Sequence, residues 1–203
     1  METAAHQAAS HADHYGAVTH EVLNQPHELA DYNLYSSDRP LAEAVVREGA
    51  QWAENDIADF GARVGAAEYL DLGVQANRHL PEFDTHDRYG RRVDLVRFHP
   101  SYHQLMKTAI EEGLHSSPWT DPRKGAHVAR AARFYMHSQV EPGHGCPISM
   151  TFACAPALAQ QPDLAREWLP KIFARDYDPR NTPADEKNGV TIGMAMTEKQ
   201  GGS

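Results

Sequence analysis

Residues 190–203 read VTIGMAMTEKQGGS, and the first seven of them decide what kind of domain precedes them. Val190, Ile192, Met194 and Met196 alternate with Thr191, Gly193 and Ala195, the period-2 pattern of a strand whose faces are small or apolar. Upstream, apart from one short arm, the apolar residues recur at helical spacing. A single strand presents unpaired N–H and C=O groups and does not stay ordered alone. The pattern predicts a mainly α chain: a helical domain over residues 23–180, then a polar connector, then one strand (190–196) that needs partners to follow it.

Six or seven helices are expected. Ser37 or Asp38 caps the first, in which Leu41, Ala44, Val45, Glu48 and Trp52 fall at helical spacing. Asn55 or Asp56 restarts a helix with Ile57, Phe60 and Val64 on one stripe. A third runs from Ala66 to about His79, with Leu70 and Val74 on one face, and Pro81 helps to stop it. The stretch DTHDRYGRRVDLVRFHP (84–100) breaks the period. Tyr89-Gly90 is a turn signal and Val93, Leu95 and Phe98 fit an extended piece, so a small hairpin or irregular arm is expected near 85–98. Ser101 caps the next helix, which Gly113 ends. Asp121-Pro122 reads as the start of an Ala-rich helix reaching Val140. Another begins at Pro147, and Asp163 caps the last, with a kink or restart at Pro170.

Composition narrows the function classes. Apolar residues make up 41% and charged residues 23% of the chain, which is ordinary for a globular protein. No run of 18 apolar residues exists, so no membrane partner is expected. The N-terminus lacks the basic start and apolar run of a secretory signal. Cys146 and Cys154 do not form a disulfide framework; a reduced pair in the cytoplasm is the better reading. The formal net charge of -9 repels phosphate backbones and makes this stretch a poor nucleic-acid surface. Residues 1–22 hold few large apolar groups and read as a disordered tail; His6, His11, His14 and His20 are too irregularly spaced for a metal site.

The end of the chain carries the chemistry. Thr197 offers a hydroxyl and an N–H just past a strand end. Gly201 and Gly202 let the backbone approach a ligand closely, and successive N–H groups in such a turn, with the Ser203 hydroxyl, form an anion-binding concavity. Met194 and Met196 could lie against a flat ring. A planar ligand with a phosphate tail suits that arrangement. Elsewhere, His99 and His103 have metal-ligand spacing but no third ligand, so a core or capping role is expected. Arg130 and Arg133 suggest structural salt bridges, Trp52, Trp119 and Trp168 core or interface aromatics, and Cys146 has no companion base.

GMAMTEKQGGS (193–203) resembles the flavin-binding loop of the acyl-CoA dehydrogenases, and its Lys-Gln-Gly-Gly form is similar to the AidB branch of that family. NLYSSDRPLAEAVVREGAQW (33–52), YGRRVDLVRFHPSYHQLM (89–106) and ARAARFYMHSQVEPGHGCPISMTFA (129–153) extend the resemblance over residues 24–203. The resemblance implies a helical N-terminal domain, a β-domain and a C-terminal helical bundle, with FAD between the β-domain and the bundles and subunits paired into dimers or tetramers. It implies that Thr197 hydrogen-bonds the flavin pyrimidine and that Met194, Ala195 and Met196 run beside the ring. Gly202 and Ser203 would approach the diphosphate, and Glu198, Lys199, Gln200 and Gly201 complete the loop. The implied chemistry is α,β-dehydrogenation of an acyl-CoA, with a glutamate base and FAD as hydride acceptor. The AidB branch is further linked to DNA alkylation damage.

The resemblance implies that the catalytic glutamate and the basic DNA-binding surface belong to the family's C-terminal bundle, so no catalytic residue is expected in this stretch, and Glu198 is expected to be a loop residue rather than a base. A terminal carboxylate on Ser203 about 4 Å from a diphosphate charge would oppose it by roughly 4 kcal/mol, so FAD binding by these 203 residues alone is expected to be weak or absent. A helical interaction or oligomerisation module without flavin chemistry is the competing expectation.

Overall fold

Asp38 starts the first helix. Its carboxylate accepts the Leu41 N–H at 3.0 Å, and Pro40 occupies the first turn, where its missing N–H costs nothing. This computed structural model describes residues 22–195 and 197–201. Of the tail expected over 1–22, all but Val22 lies outside the described residues, as do Met196, Gly202 and Ser203. Replacing Asp38 with Ala is expected to cost about 1 kcal/mol, read as a shift of the urea midpoint with an unchanged slope.

Helix α1 (Arg39–Arg47) ends at Gly49, whose φ of 85° suits a residue without a Cβ. A 3₁₀ turn, Gln51–Ala53, leads into α2 (Glu54–Val64). Trp52 therefore belongs to this turn and not to α1, and it is 43% exposed. Helix α3 (Ala67–Arg78) follows. The stripe expected at Leu70 and Val74 is displaced by one position: Tyr69 and Gly73 are buried and Val74 is exposed. Gly73 lies so close to the Val140 carbonyl that no Cβ fits there, and the tight approach sets the helix rotation.

The arm is a two-stranded antiparallel hairpin, β1 (Glu82–His86) with β2 (Arg92–Arg97), in the register Phe83↔Val96 and Asp84↔Leu95. Asp87 closes its turn by accepting the Tyr89 and Arg91 N–H groups, and Gly90 takes a φ of 76°. Its apolar residues Phe83, Val93 and Val96 are exposed.

Helix α4 (Pro100–Glu111) is capped by His99 and not by Ser101: the His99 ring accepts the Ser101 N–H at 3.3 Å. Gly113, φ 66°, ends it. A short α5 (Ser117–Thr120), not expected from the sequence, follows, and α6 (Ala126–Val140) begins after Gly125, φ 79°, and not at Asp121-Pro122. Gly125 sits against the Gly49 carbonyl, so packing against the end of α1 decides where α6 starts. Helix α7 (Gly145–Leu158) begins two residues before Pro147, and α8 (Pro162–Ile172), with Gln161 at its cap, runs through Pro170 to Ile172.

The core forms where α1, α2 and α3 pack on α6. Val45, Ile57, Phe60, Val64 and Tyr69 meet Ala129, Ala132 and Met136, and the small alanines let the helices approach. A second cluster joins Met106, Ala109 and Ile110 of α4 to Ile148 of α7. Among the described residues no helix is long and apolar enough to cross a membrane.

The strand expected over 190–196 does not form among residues 190–195. The period-2 signal was nonetheless physical. Val190 donates to the Lys171 carbonyl at 3.2 Å, Ile192 to Thr151 Oγ1 at 3.0 Å, and Met194 to Met150 Sδ at 3.3 Å. Alternate N–H groups thus face α7 and α8, and no neighbouring strand stands beside them among the described residues to complete a ladder.

Candidate functional site

Thr151 fixes the approach to the C-terminal turn. It is fully buried in α7, donates its hydroxyl proton to the Pro147 carbonyl at 2.7 Å, and so presents an oxygen lone pair to the Ile192 N–H. Lys171 fixes the connector: its ammonium donates to the carbonyls of Ala184 and Asp185 at 2.7 and 3.0 Å. Arg180 grips Asp178 through both Nε and Nη2 and also donates to the Glu186 carbonyl. Hydrogen bonds from Arg180 hold the Asp178 carboxyl down at about 2, so this clamp is charged at neutral pH.

Beyond Met194 the chain turns back on itself. Glu198 and Gly201 exchange backbone hydrogen bonds of 3.0 and 3.2 Å. A Cβ on Gly201 would meet only the mobile end of the exposed Glu198 side chain, Oε1 at 2.8 Å, so a larger residue there requires no more than a shift of that side chain. Met194, Ala195, Thr197, Glu198, Lys199 and Gln200 are all exposed. Of the ten expected flavin-loop positions, seven are described: Glu198 to Gly201 make the turn, and Met194, Ala195 and Thr197 precede it; Met196, Gly202 and Ser203 lie outside the described residues.

Next to Thr191 lies a cleft of about 610 Å³ between β2, α4 and the connector. Phe98 and Tyr102 stack on its wall with ring centroids 4.3 Å apart, and the His103 ring meets the Tyr177 hydroxyl at 2.7 Å. Burial lowers the His103 pKa, and burial followed by the proximity of Tyr102 pushes Tyr177 up to about 12. Both are neutral at pH 7, so this aromatic part of the wall is uncharged, while Asp94, Arg97, Asp178, Arg180 and Lys187 line the rest of the cleft. His99 stacks on His79 at 4.5 Å. With His99 a cap and His103 bound to a tyrosine, the two take the structural roles expected of them, and no group of three metal-ligating side chains occurs among the described residues.

Arg130 departs from expectation. It makes no acid pair among the described residues; its guanidinium lies 3.8 Å from the Phe152 ring centroid and donates to the Leu114 carbonyl at 2.6 Å. The sequence reading also missed a buried polar chain. Tyr69 Oη is 2.8 Å from His137 Nε2, His137 Nδ1 is 2.7 Å from His144 Nε2, and His144 Nδ1 is 3.1 Å from the Glu141 carboxylate. The recurrence His137, Glu141, His144 at steps of four and three was the available signal.

The pattern of the adaptive response protein AidB N-terminal domain matches residues 24–179. AidB of Escherichia coli (strain K12) is 49% identical over 187 residues, which cover 91% of this chain and 35% of that protein. Acyl-CoA dehydrogenase family member 11 of Caenorhabditis elegans is 27% identical over 99% of this chain and 32% of its own length. Among solved structures, the apo form of Bd2924 superposes with a TM-score of 0.72 at 26% identity, covering 87% of this chain and 34% of that one. The structure of the nematode ACDH-11 in complex with C11-CoA gives 0.71 at 23% identity, covering 95% and 33%. The fold and the matched residues define an acyl-CoA dehydrogenase-like helical domain. The chain belongs to the AidB N-terminal domain family, and it spans about a third of the length of the curated relatives it matches.

Proposed function

We propose that these residues form the N-terminal helical part of an AidB-type, FAD-dependent acyl-CoA dehydrogenase-like protein. In this reading residues 23–180 are the helical domain, and 181–203 lead into a flavin-binding β-domain. The observation that carries it is the 49% identity to AidB across 91% of the chain. The anchoring of Ile192 to α7 through Thr151, ahead of the exposed turn, supports it. Thr197 would donate to the flavin pyrimidine, Met194 to Met196 would flank the ring, and Glu198 to Ser203 would carry the backbone towards the diphosphate. FAD would supply hydride acceptance from an acyl-CoA; the base that removes the α-proton, and any DNA-binding surface tied to alkylation damage, would lie in polypeptide outside these residues. A homo-oligomer in the cytoplasm completes the reading.

The test is to purify the native gene product from its own cells, weigh it intact and record its absorbance near 450 nm. A mass far above 22.6 kDa with a flavin spectrum is expected. A product of about that mass without flavin would overturn the reading in favour of an interaction module. In a parallel titration the 203-residue chain by itself is expected to leave FAD fluorescence nearly unchanged at micromolar concentrations. Tight retention of FAD by that chain would contradict the expectation of weak binding.

A further inference from the structure

A cleft of about 480 Å³ opens between α2 and α6, remote in sequence from the flavin turn. Its basic residues are Arg63, Arg123, Arg133 and Arg175. Arg63 is committed to Glu112 at 2.7 Å. Arg123 bonds Asp121 at 2.9 Å and lies over the Trp52 ring, 3.4 Å from its centroid. Arg133 is different. Its side chain is only 12% exposed, yet its nearest acid, Asp56, stands 3.9 Å from Nη2 and is itself 76% exposed. Arg133 Nε is buried and has no hydrogen-bond acceptor among the described residues.

A buried guanidinium donor without an acceptor costs free energy, more than a neutral group would. Nε and Nη2 form one edge of the guanidinium, the edge that pairs side-on with the two oxygens of a carboxylate. Nε of this edge has no acceptor among the described residues, and Nη2 has only the long 3.9 Å contact to Asp56, in a cleft large enough for a small ligand. Asp56, Asp59, Glu112 and Asp121 also line the cleft. Their charges oppose a phosphate dianion and leave a planar monoanion as the favoured occupant.

We propose that this cleft is a carboxylate-binding site in which the Nε/Nη2 edge of Arg133 takes a single carboxylate side-on. The carboxylate is either that of a small free acid or that of an Asp or Glu side chain from a second copy of the chain. Asp56 is exposed and stands 3.9 Å from Nη2, beyond hydrogen-bond distance, so it does not satisfy that donor. The proposal does not rest on flavin binding and survives its failure.

The probe is sodium acetate, with sodium chloride and sodium phosphate at matched ionic strength. The readout is the arginine Nε–H region of a ¹H–¹⁵N spectrum of the 203-residue chain, in which the Arg133 peak is the one lost in Arg133→Lys. A saturating acetate shift of that peak, absent with chloride and weaker with phosphate, is expected. Arg133→Lys keeps the charge without the fork and is expected to weaken the acetate-induced rise in Tm by about tenfold in affinity. If dilute protein shows the acetate shift and remains monomeric in sedimentation at all concentrations, the occupant is a free acid. If the peak moves with protein concentration and acetate dissociates a dimer, the occupant is a second copy's carboxylate. No saturating shift at either concentration, or tighter binding of phosphate than acetate, overturns the proposal. Because the wild-type titration is read first, a poorly folding variant does not rescue it.

Discussion

Glu141→Ala is expected to lower stability by about 1–3 kcal/mol, the range for leaving buried hydrogen-bond donors without their acceptor. Glu141 is 5% exposed. Its carboxylate accepts the Gly143 N–H at 2.7 Å, the His144 N–H at 2.9 Å and the His144 ring at 3.1 Å. Burial raises its pKa, but these hydrogen bonds outweigh burial and the net shift is downward. An ionised Glu141 also sets every proton in the chain behind it. It requires His144 to carry a proton on Nδ1, so His144 Nε2 accepts from His137 Nδ1–H, and His137 Nε2 accepts the Tyr69 hydroxyl proton. Alanine strands two backbone donors and leaves that order undefined. Urea unfolding at pH 7 measures the effect, and a loss under about 1 kcal/mol would contradict it.

The same chain predicts the direction of pH dependence. Burial holds His137 down at about 2, assisted by the neighbouring His144, and burial also lowers His144. His115 is lowered by burial to about 4. A histidine whose folded pKa is depressed binds its proton more readily when unfolded. Stability is then full above the unfolded value of about 6.5 and falls as the pH drops below it, by up to about 1.4 kcal/mol per pH unit for each such group. Glu141, with its lowered pKa, adds a further loss below about 4.3, where the unfolded chain takes up its proton. Stability rising between pH 6.5 and 5 would show the histidines to be charged in the fold.

Much of this was legible in local pattern. The stripe Ile57, Phe60, Val64 is buried as its spacing required, Asp38 caps α1, Gly113 ends α4, and the Tyr89-Gly90 turn makes the hairpin. The failures share a cause: a distant residue decided a local question. Gly125 starts α6 because the end of α1 lies against it. Tyr69 replaces Leu70 on the inner face because Gly73 meets the Val140 carbonyl. Val190 to Met194 alternate as a strand would, yet their N–H groups satisfy themselves on two helices. The exposed turn at 197–201 was recognisable as a glycine-rich loop. The Arg133 cleft was not, because its members come from four separate parts of the chain and share no spacing.

Gly65→Ala is expected to cost about 3 kcal/mol or more, because it expels the lead-in segment from the core. Gly61 near the end of α2 and Gly65 at its C-cap lie one turn apart and form a groove for residues 32–35. Tyr32 donates to the Gly65 carbonyl at 3.3 Å and Leu34 to the Gly61 carbonyl at 3.1 Å. A Cβ on Gly65 would fall 1.8 Å from the Tyr32 carbonyl oxygen and 2.5 Å from Leu34 Cδ1. The backbone atom cannot yield without breaking those bonds, so overpacking here exceeds the usual core penalty of about 1–3 kcal/mol. Displacing Leu34 and Tyr35, which are 2% and 3% exposed, forfeits roughly 2–3 kcal/mol for the leucine alone. Gly193→Ala supplies the control. Nothing stands within 4 Å of its added Cβ, and its stability should change by less than about 0.5 kcal/mol. The measurement is paired urea unfolding with limited proteolysis of residues 22–38. Gly65→Ala should become cleavable there at a denaturant concentration where wild type and Gly193→Ala remain intact. Equal resistance in all three proteins would show that the glycine groove does not hold the lead-in.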